Sequence, residues 1–260
     1  MGKVIAITNQ KGGVGKTTTS INLAASLVKT QRKVLLVDID PQGNATMGSG
    51  VVKDKVEHSI YGVLIGSATM GQAAISVEGG YDLVASNAQL SGAEVELITL
   101  ENRERRLRHA IEEVREQYDY ILIDCPPSLN LLTVNALVAA ESVMIPMQCE
   151  YYALEGLSAL INTIKKVRTK LNPQLQIAGL LRTMYDPRNN LANEVSAQLR
   201  SHFGDKLYRT IIPRNIRLAE APSFGKPVIS YDIHSKGAEA YLALAGEILR
   251  REQGLTAVTQ

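Results

Sequence analysis

The sequence predicts an α/β protein built on a doubly wound, mostly parallel sheet flanked by helices. Three observations predict it. Runs of β-branched and apolar residues recur along the 260 residues and are near-continuous, as strands buried on both faces require. Longer stretches of helical character separate them, and strand–helix–strand order implies right-handed crossovers. The composition, 45% hydrophobic and 21% charged, suits a chain that buries a large core without disulfide or metal.

The first strand, KVIAIT (3–8), runs into NQKGGVGKTTTS (9–20), and a helix is expected over 16–30. VLLVDID (34–40) is the second strand and ends in Asp38 and Asp40. Residues 41–80 carry many glycines and few long apolar runs, so loops and short helices are expected there. YDLVAS (81–86) is a strand, followed by a helix over 102–117 in which Glu104 and Arg108 are spaced as an i,i+4 ion pair. YILIDC (120–125) and SVMIPM (142–147) are strands; a helix follows over 153–171. IAGLLRTM (177–184), a helix over 190–203, LYRTIIP (207–213) and a helix over 235–252 complete the alternation, and GLTAVTQ (254–260) reads as a frayed tail. With no internal repeat, low-complexity tract or linker, residues 1–260 read as one domain.

Several function classes are excluded. Cys125 and Cys149 lie far apart with no C-x-x-C pair, which argues against a zinc site or a disulfide framework and for two reduced, buried thiols in a cytosolic protein. MGKVIAIT leads into a strand without a cleavage site, and no apolar run approaches the ~20 residues that span a bilayer. The net charge of +2 is uneven: residues 1–150 hold 13 Lys+Arg against 17 Asp+Glu, and residues 151–260 hold 15 against 9. That excess hints at a polyanionic partner, although a solvated face explains it equally well.

A strand, a glycine-rich turn and a helix start together make a phosphate loop. Gly12, Gly13 and Gly15 permit positive φ and let backbone N–H groups near an anion, with Val14 between them. The helix aims its N-terminal N–H groups at the same place. Lys16 supplies a point charge for the β- and γ-phosphates, Thr17 a hydroxyl for Mg²⁺, and Thr18 a further phosphate contact. The strict G-x-x-x-x-G-K-[ST] pattern fails, because Gln10 stands where its first glycine belongs; K-G-G-V-G-K-T stands instead, with a second lysine, Lys11. Read from the residues alone, Lys11 is either a phosphate ligand or a solvated loop charge. Asp38, Asp40 and Asp124 stand at strand ends, where open α/β folds bind ligands; each alone could simply cap a turn, but three beside a GKT loop point to chemistry.

KGGVGKTT resembles the deviant Walker A motif of the ParA/MinD class of P-loop ATPases. VLLVDIDPQGNAT (34–46), YILIDCPPSLNLLT (120–133), PMQCEYYALEGL (146–157) and IPRNIRLAEAPSFGKP (212–227) also resemble that class. The likeness covers nearly the whole chain and is strongest to the short chromosomal ParA type, called Soj, which lacks a separate N-terminal DNA-binding domain. The resemblance implies ATP and Mg²⁺ as cofactors, with Lys11 reaching the phosphates of a partner subunit in an ATP-dependent homodimer. It further implies that Asp40 positions the attacking water, Asp124 holds a Mg²⁺-bound water, and Asp38 sits near the Mg²⁺ shell or supports the loop. Pro213 and Asn215 would meet the adenine, although a plain strand-end turn is equally consistent with those residues. Arg188, Arg214, Arg217 and Lys226 would contact double-stranded DNA without sequence preference; the run KKVRTK (165–170) reads equally as DNA contact or helix-end charge.

The implied function is a chromosome- or plasmid-partitioning ATPase, cytoplasmic and nucleoid-associated. With no arginine finger near the loop, its hydrolysis is expected to be slow alone and raised by a ParB-type activator. Three other readings share the fold. A relative that positions a carboxysome or chemotaxis cluster would differ only in its partner. A MinD-like membrane ATPase needs a basic amphipathic C-terminal helix, which RREQGLTAVTQ (250–260) does not offer, so no membrane partner is expected. An iron protein of the nitrogenase type needs two cysteines facing the dimer axis, and Cys125 directly follows Asp124 at the wrong offset.

Overall fold

A computed structural model of the chain describes residues 1–151 and 153–254. Among them, eight strands form one sheet: β1 (Lys3–Ile7), β2 (Val34–Asp38), β3 (Ala74–Ser76), β4 (Asp82–Val84), β5 (Tyr120–Asp124), β6 (Ser142–Gln148), β7 (Gln176–Tyr185) and β8 (Leu207–Pro213). Their order across the sheet is β3-β4-β2-β5-β1-β6-β7-β8, and every neighbouring pair is parallel except β3 with β4. The chain runs from β1 outward to one edge, returns to insert β5 beside β1, and then builds the other edge.

The helices are α1 (Lys16–Lys29), α2 (Asn44–Gly48), α3 (Ile60–Ile65), α4 (Met70–Ala73), α5 (Leu90–Ile98) and α6 (Arg106–Val114), then α7 (Leu131–Ala139), α8 (Ala153–Lys170), α9 (Asn190–Phe203), α10 (Ile216–Glu220), α11 (Val228–Tyr231) and α12 (Lys236–Glu252). They cover both faces of the sheet, which is why the strands are apolar on both sides. Alternate strand residues enter opposite cores. Val4 and Ala6 of β1 and Ile123 of β5 pack with α6, α7 and α8, while Ile5 and Ile7 of β1 and Leu122 of β5 pack with α1 and α12. No helix among the described residues is long and apolar enough to cross a membrane. Both cysteines are buried and free.

Parallel register brings the site together. Ile7 and Asp38 are both register partners of Asp124, so the carboxyl ends of β1, β2 and β5 are level. The phosphate loop, the Asp38–Asp40 turn and Asp124 therefore emerge side by side.

The structure departs from the sequence expectations in three respects. Strand β2 stops at Asp38, so Asp40 sits in the following turn rather than on the strand. The helix expected over 102–117 begins only at Arg106, which leaves Glu104 off it; Glu104 pairs with Arg103 at 3.1 Å, and Arg108 pairs with Glu112 at 3.1 Å. Helices α5 and α7 and the three-residue strand β3 had no counterpart in the sequence reading. Of the tail expected to fray, residues 255–260 lie outside the described residues.

Candidate functional site

The loop between β1 and α1 is shaped by two left-handed glycines. Gly13 (φ 72°) and Gly15 (φ 85°) adopt the conformation L side chains avoid; Gly12 does not, but a Cβ there would meet nothing within 4 Å. Gly15 is the N-cap of α1 and leaves that helix start without a side-chain cap. The open N–H groups of the first turn, together with the bare glycines, form a cradle for an anion. The loop is pinned at both ends. Asn9 Nδ2 donates to Pro146 O (2.8 Å) and its Oδ1 accepts from Lys11 N (3.0 Å), while Thr183 Oγ1 donates to Val14 O (2.7 Å). The sequence reading missed Asn9 and Thr183, because their partners lie 137 and 169 residues away.

Lys16 is 7% exposed, and among the described residues its ammonium makes one hydrogen bond, to Lys11 O at 3.1 Å. Burial pushes its pKa down, while Asp124, Cys125 and Asp40 hold it up. A buried ammonium with spare donors facing a glycine cradle is suited to a phosphate. Thr17 Oγ1 donates to Asp124 Oδ2 (2.8 Å), and Ser20 Oγ, one turn along α1, donates to Asp124 Oδ1 (2.7 Å). Asp124 is fully buried, and burial is the main cause that raises its carboxyl to about 6. Asp38 is also fully buried, and burial first, then the facing Asp124 charge, raises it to about 7. Asp38 turns its oxygens to its own loop: Oδ1 accepts from Asp40 N (3.1 Å), and Oδ2 from Thr46 N (2.8 Å) and Thr46 Oγ1 (2.7 Å).

Lys16 and Thr17, but not the fully buried Asp38 and Asp124, edge a cavity of about 1240 Å³ lined by Gly12, Gly13, Gly15, Lys16, Thr17, Thr18 and Asp40 at one end and by Met184, Pro213, Arg214, Asn215 and Leu218 at the other. Pro213 and Asn215 thus share one cavity with the phosphate loop. Asn215 Oδ1 caps α10 by accepting from Leu218 N (3.3 Å). Lys11 does not line this cavity. Its side chain, 46% exposed, forms an ion pair with Glu150, just beyond β6.

No cluster of three or more His, Cys, Asp or Glu residues that could hold a metal lies among the described residues. Mg²⁺ needs none, because it keeps most of its waters and takes the remaining oxygens from phosphates and one or two protein groups. The Thr17 hydroxyl beside the Asp124 carboxylate supplies such a pair, so the residues present fit a magnesium nucleotide. When bound, the ion neutralises phosphate charge.

A family model described as an AAA domain matches residues 2–177. The sporulation initiation inhibitor protein Soj of Bacillus subtilis is 57% identical over 250 residues, covering 95% of this chain and 98% of that one. The chromosome partitioning protein ParA of Myxococcus xanthus is 53% identical over 253 residues, covering 97% and 89%. The chain belongs to the ParA/Soj family of P-loop ATPases. The crystal structure of cobyrinic acid a,c-diamide synthase from Mycobacterium smegmatis, with bound ADP and magnesium, superposes with a TM-score of 0.85 at 36% identity, covering 97% of this chain and 96% of that one. This ParA/Soj-family chain is an ATPase, with ATP and Mg²⁺ as its cofactors.

The four cations expected to meet DNA are placed less uniformly. Arg188 is 88% exposed and clasps Asp186 through Nε (2.9 Å) and Nη2 (2.7 Å), which holds the Asp186 carboxyl down at about 2. Arg217 pairs with Glu220 (2.8 Å) and Asp232 (3.3 Å), and Lys226 with Glu78 (2.7 Å). Arg214 is exposed and makes no ion pair among the described residues. Arg214 N donates to Tyr185 O (3.2 Å), so the loops carrying Arg188 and Arg214 leave β7 and β8 together. The KKVRTK run occupies the end of α8, with Arg168 and Lys170 in its last turn.

Proposed function

We propose that this chain is a DNA-partitioning ATPase and that residues 1–260 work as one ATPase unit. ATP drives two copies into a sandwich dimer, the dimer binds duplex DNA without sequence preference in the cytoplasm at the nucleoid, and a ParB-type activator triggers hydrolysis and release. The observation that carries this reading is the division between the two lysines. Lys16 is buried over its own phosphate cradle, whereas Lys11 does not line that cavity and pairs at the surface with Glu150. A lysine that does not serve its own phosphates is placed to serve a neighbour's, and its charge would offset the repulsion between two nucleotide-loaded faces.

Within the subunit, Lys16 and the loop from Gly12 to Thr18 hold the phosphates, Thr17 and Asp124 hold the metal directly and through water, and Asp40 orients the attacking water. Asp38 organises the loop that carries Asp40. Pro213 packs on the base and Asn215 bonds its edge. Arg188, Arg214, Arg217 and Lys226 bind DNA phosphates. The carboxylates now paired with three of them do not argue against this, because exposed ion pairs contribute only about 0–1 kcal/mol and exchange readily for phosphate. The names of the relatives, Soj and chromosome partitioning ParA, favour a chromosomal cargo.

DNA binding with ADP, with ATP, and with ATP plus Lys11→Ala, each at two salt concentrations, tests the proposal. Binding should require ATP, weaken steeply with salt and vanish in the variant. A variant that binds DNA like the parent sinks the trans role of Lys11; an ATP-loaded parent that ignores DNA sinks the partitioning function.

A further inference from the structure

We propose that Thr46 and Ser86 are positioning residues for ATP hydrolysis, holding Asp40 at the cavity through a closed ring of buried hydrogen bonds. The inference rests on the reading of Asp40 as the group that orients the attacking water.

The ring runs through four residues from three segments. Asp40 N donates to Asp38 Oδ1 at 3.1 Å. Thr46 Oγ1, on α2, donates to Asp38 Oδ2 at 2.7 Å. Ser86 N, just past β4, donates to Thr46 Oγ1 at 2.9 Å. Ser86 Oγ then donates to Asp40 O at 2.7 Å and closes the ring. Asp38, Thr46 and Ser86 are each 0% exposed, so no water can stand in for a lost partner without a rearrangement.

The ring does more than satisfy buried groups. Asp40 lies beyond the last residue of β2, so no sheet ladder fixes it; its N–H and C=O are held by Asp38 and Ser86, with Gly43 N a second donor to its carbonyl at 2.8 Å. Its side chain is turned by one bond, from Gln42 N to Oδ1 at 2.9 Å. That leaves Oδ2 without a protein partner among the described residues, on a residue that lines the cavity. An oxygen kept free while everything behind it is fixed is what orienting a water requires. Thr46 is central because its hydroxyl donates and accepts at once. Valine fills the same space and breaks both bonds, whereas serine keeps both.

The test compares Ser86→Ala, Thr46→Val and Thr46→Ser in the full chain with saturating ATP, Mg²⁺ and duplex DNA, measuring kcat and, separately, the Kd for ATP. Ser86→Ala and Thr46→Val should lower kcat by about ten- to a hundredfold, with Kd within about twofold of the parent, and Thr46→Ser should restore turnover. Parent-like turnover in both loss variants overturns the inference, and so does a Kd that weakens in step with kcat, since that marks general damage to the site. Should Thr46→Val fail to fold, Ser86→Ala decides alone, because it removes one hydroxyl and leaves the Ser86 amide bonded to Thr46. Asp40→Ala separates the two levels. If it turns over like the parent, the role of Asp40 falls and this inference with it; if it is inactive while Ser86→Ala is not, only the ring falls.

Discussion

Asp38 and Asp124 face each other in register, both fully buried, with burial as the main cause that lifts one to about 7 and the other to about 6. In protein free of metal and nucleotide, the folded state therefore binds these protons more tightly than the unfolded chain does. Their contribution to stability is fully present below the unfolded value near 4 and is lost as pH rises through 6 and 7. Asp38→Asn removes the member of the pair that is lifted further. Urea denaturation in EDTA across pH 4 to 8 should show a flatter slope in Asp38→Asn than in the parent, even though the variant starts lower for want of its hydrogen bonds. Parallel slopes would mean the pair does not ionise within that window. At this scale the sequence was informative about residue type and silent about aim. Three strand-end aspartates could be read as chemistry, but that Asp38 spends both oxygens on its own loop depends on Thr46, eight residues on. That Ser20 grips Asp124 depends on a contact 104 residues away.

At the scale of elements, the strands were legible because a strand buried on both faces is written as a continuous apolar run. The unread elements have physical reasons. LLTVNALVA of α7 is apolar on nearly every side, so it shows no helical period, and its start is marked by one cap, Asn130 Oδ1 accepting from Thr133 N at 3.1 Å. Strand β3 is three residues long and antiparallel at the sheet edge, too short to show alternation. The phosphate loop was legible as a unit, yet its glycines are not equivalent, and this can be tested. Gly15→Ala places a side chain at φ 85°, where left-handed strain costs roughly 1–2 kcal/mol. Gly12→Ala meets neither strain nor a neighbour, so stability should stay within about 0.5 kcal/mol. Its methyl group would instead enter the space proposed for phosphate. Chemical denaturation should thus find Gly15→Ala clearly weaker and Gly12→Ala close to the parent, while nucleotide titration finds both impaired. A Gly12→Ala protein that binds ATP normally would move the phosphates away from that part of the loop.

For the whole molecule, the sheet order matters because it inserts β5 between β2 and β1 and so gathers carboxylates and lysines from segments more than a hundred residues apart onto one rim. In the proposed function, both halves of a two-step assembly would then reside in one loop: nucleotide capture by Lys16, and association by Lys11. These steps can be separated. A ligand that binds only the folded chain at about a hundred times its Kd adds roughly 2.7 kcal/mol, which for a chain of this size raises Tm by about 5–10 °C. In dilute protein, where association is negligible, Lys11→Ala should keep that Mg²⁺·ATP shift, because the Lys11 side chain stands outside its own cavity and pairs with Glu150. Lys16→Ala should lose it, because its ammonium is the buried cation of the cradle. In concentrated protein, sedimentation should show the parent moving to dimers with ATP and both variants staying monomeric. The informative result is therefore the Lys11 variant, with ATP bound and dimers absent. If it loses the thermal shift as well, the two lysines act on the same subunit's phosphates, and the dimer must be held together by something other than a lysine exchanged between its halves.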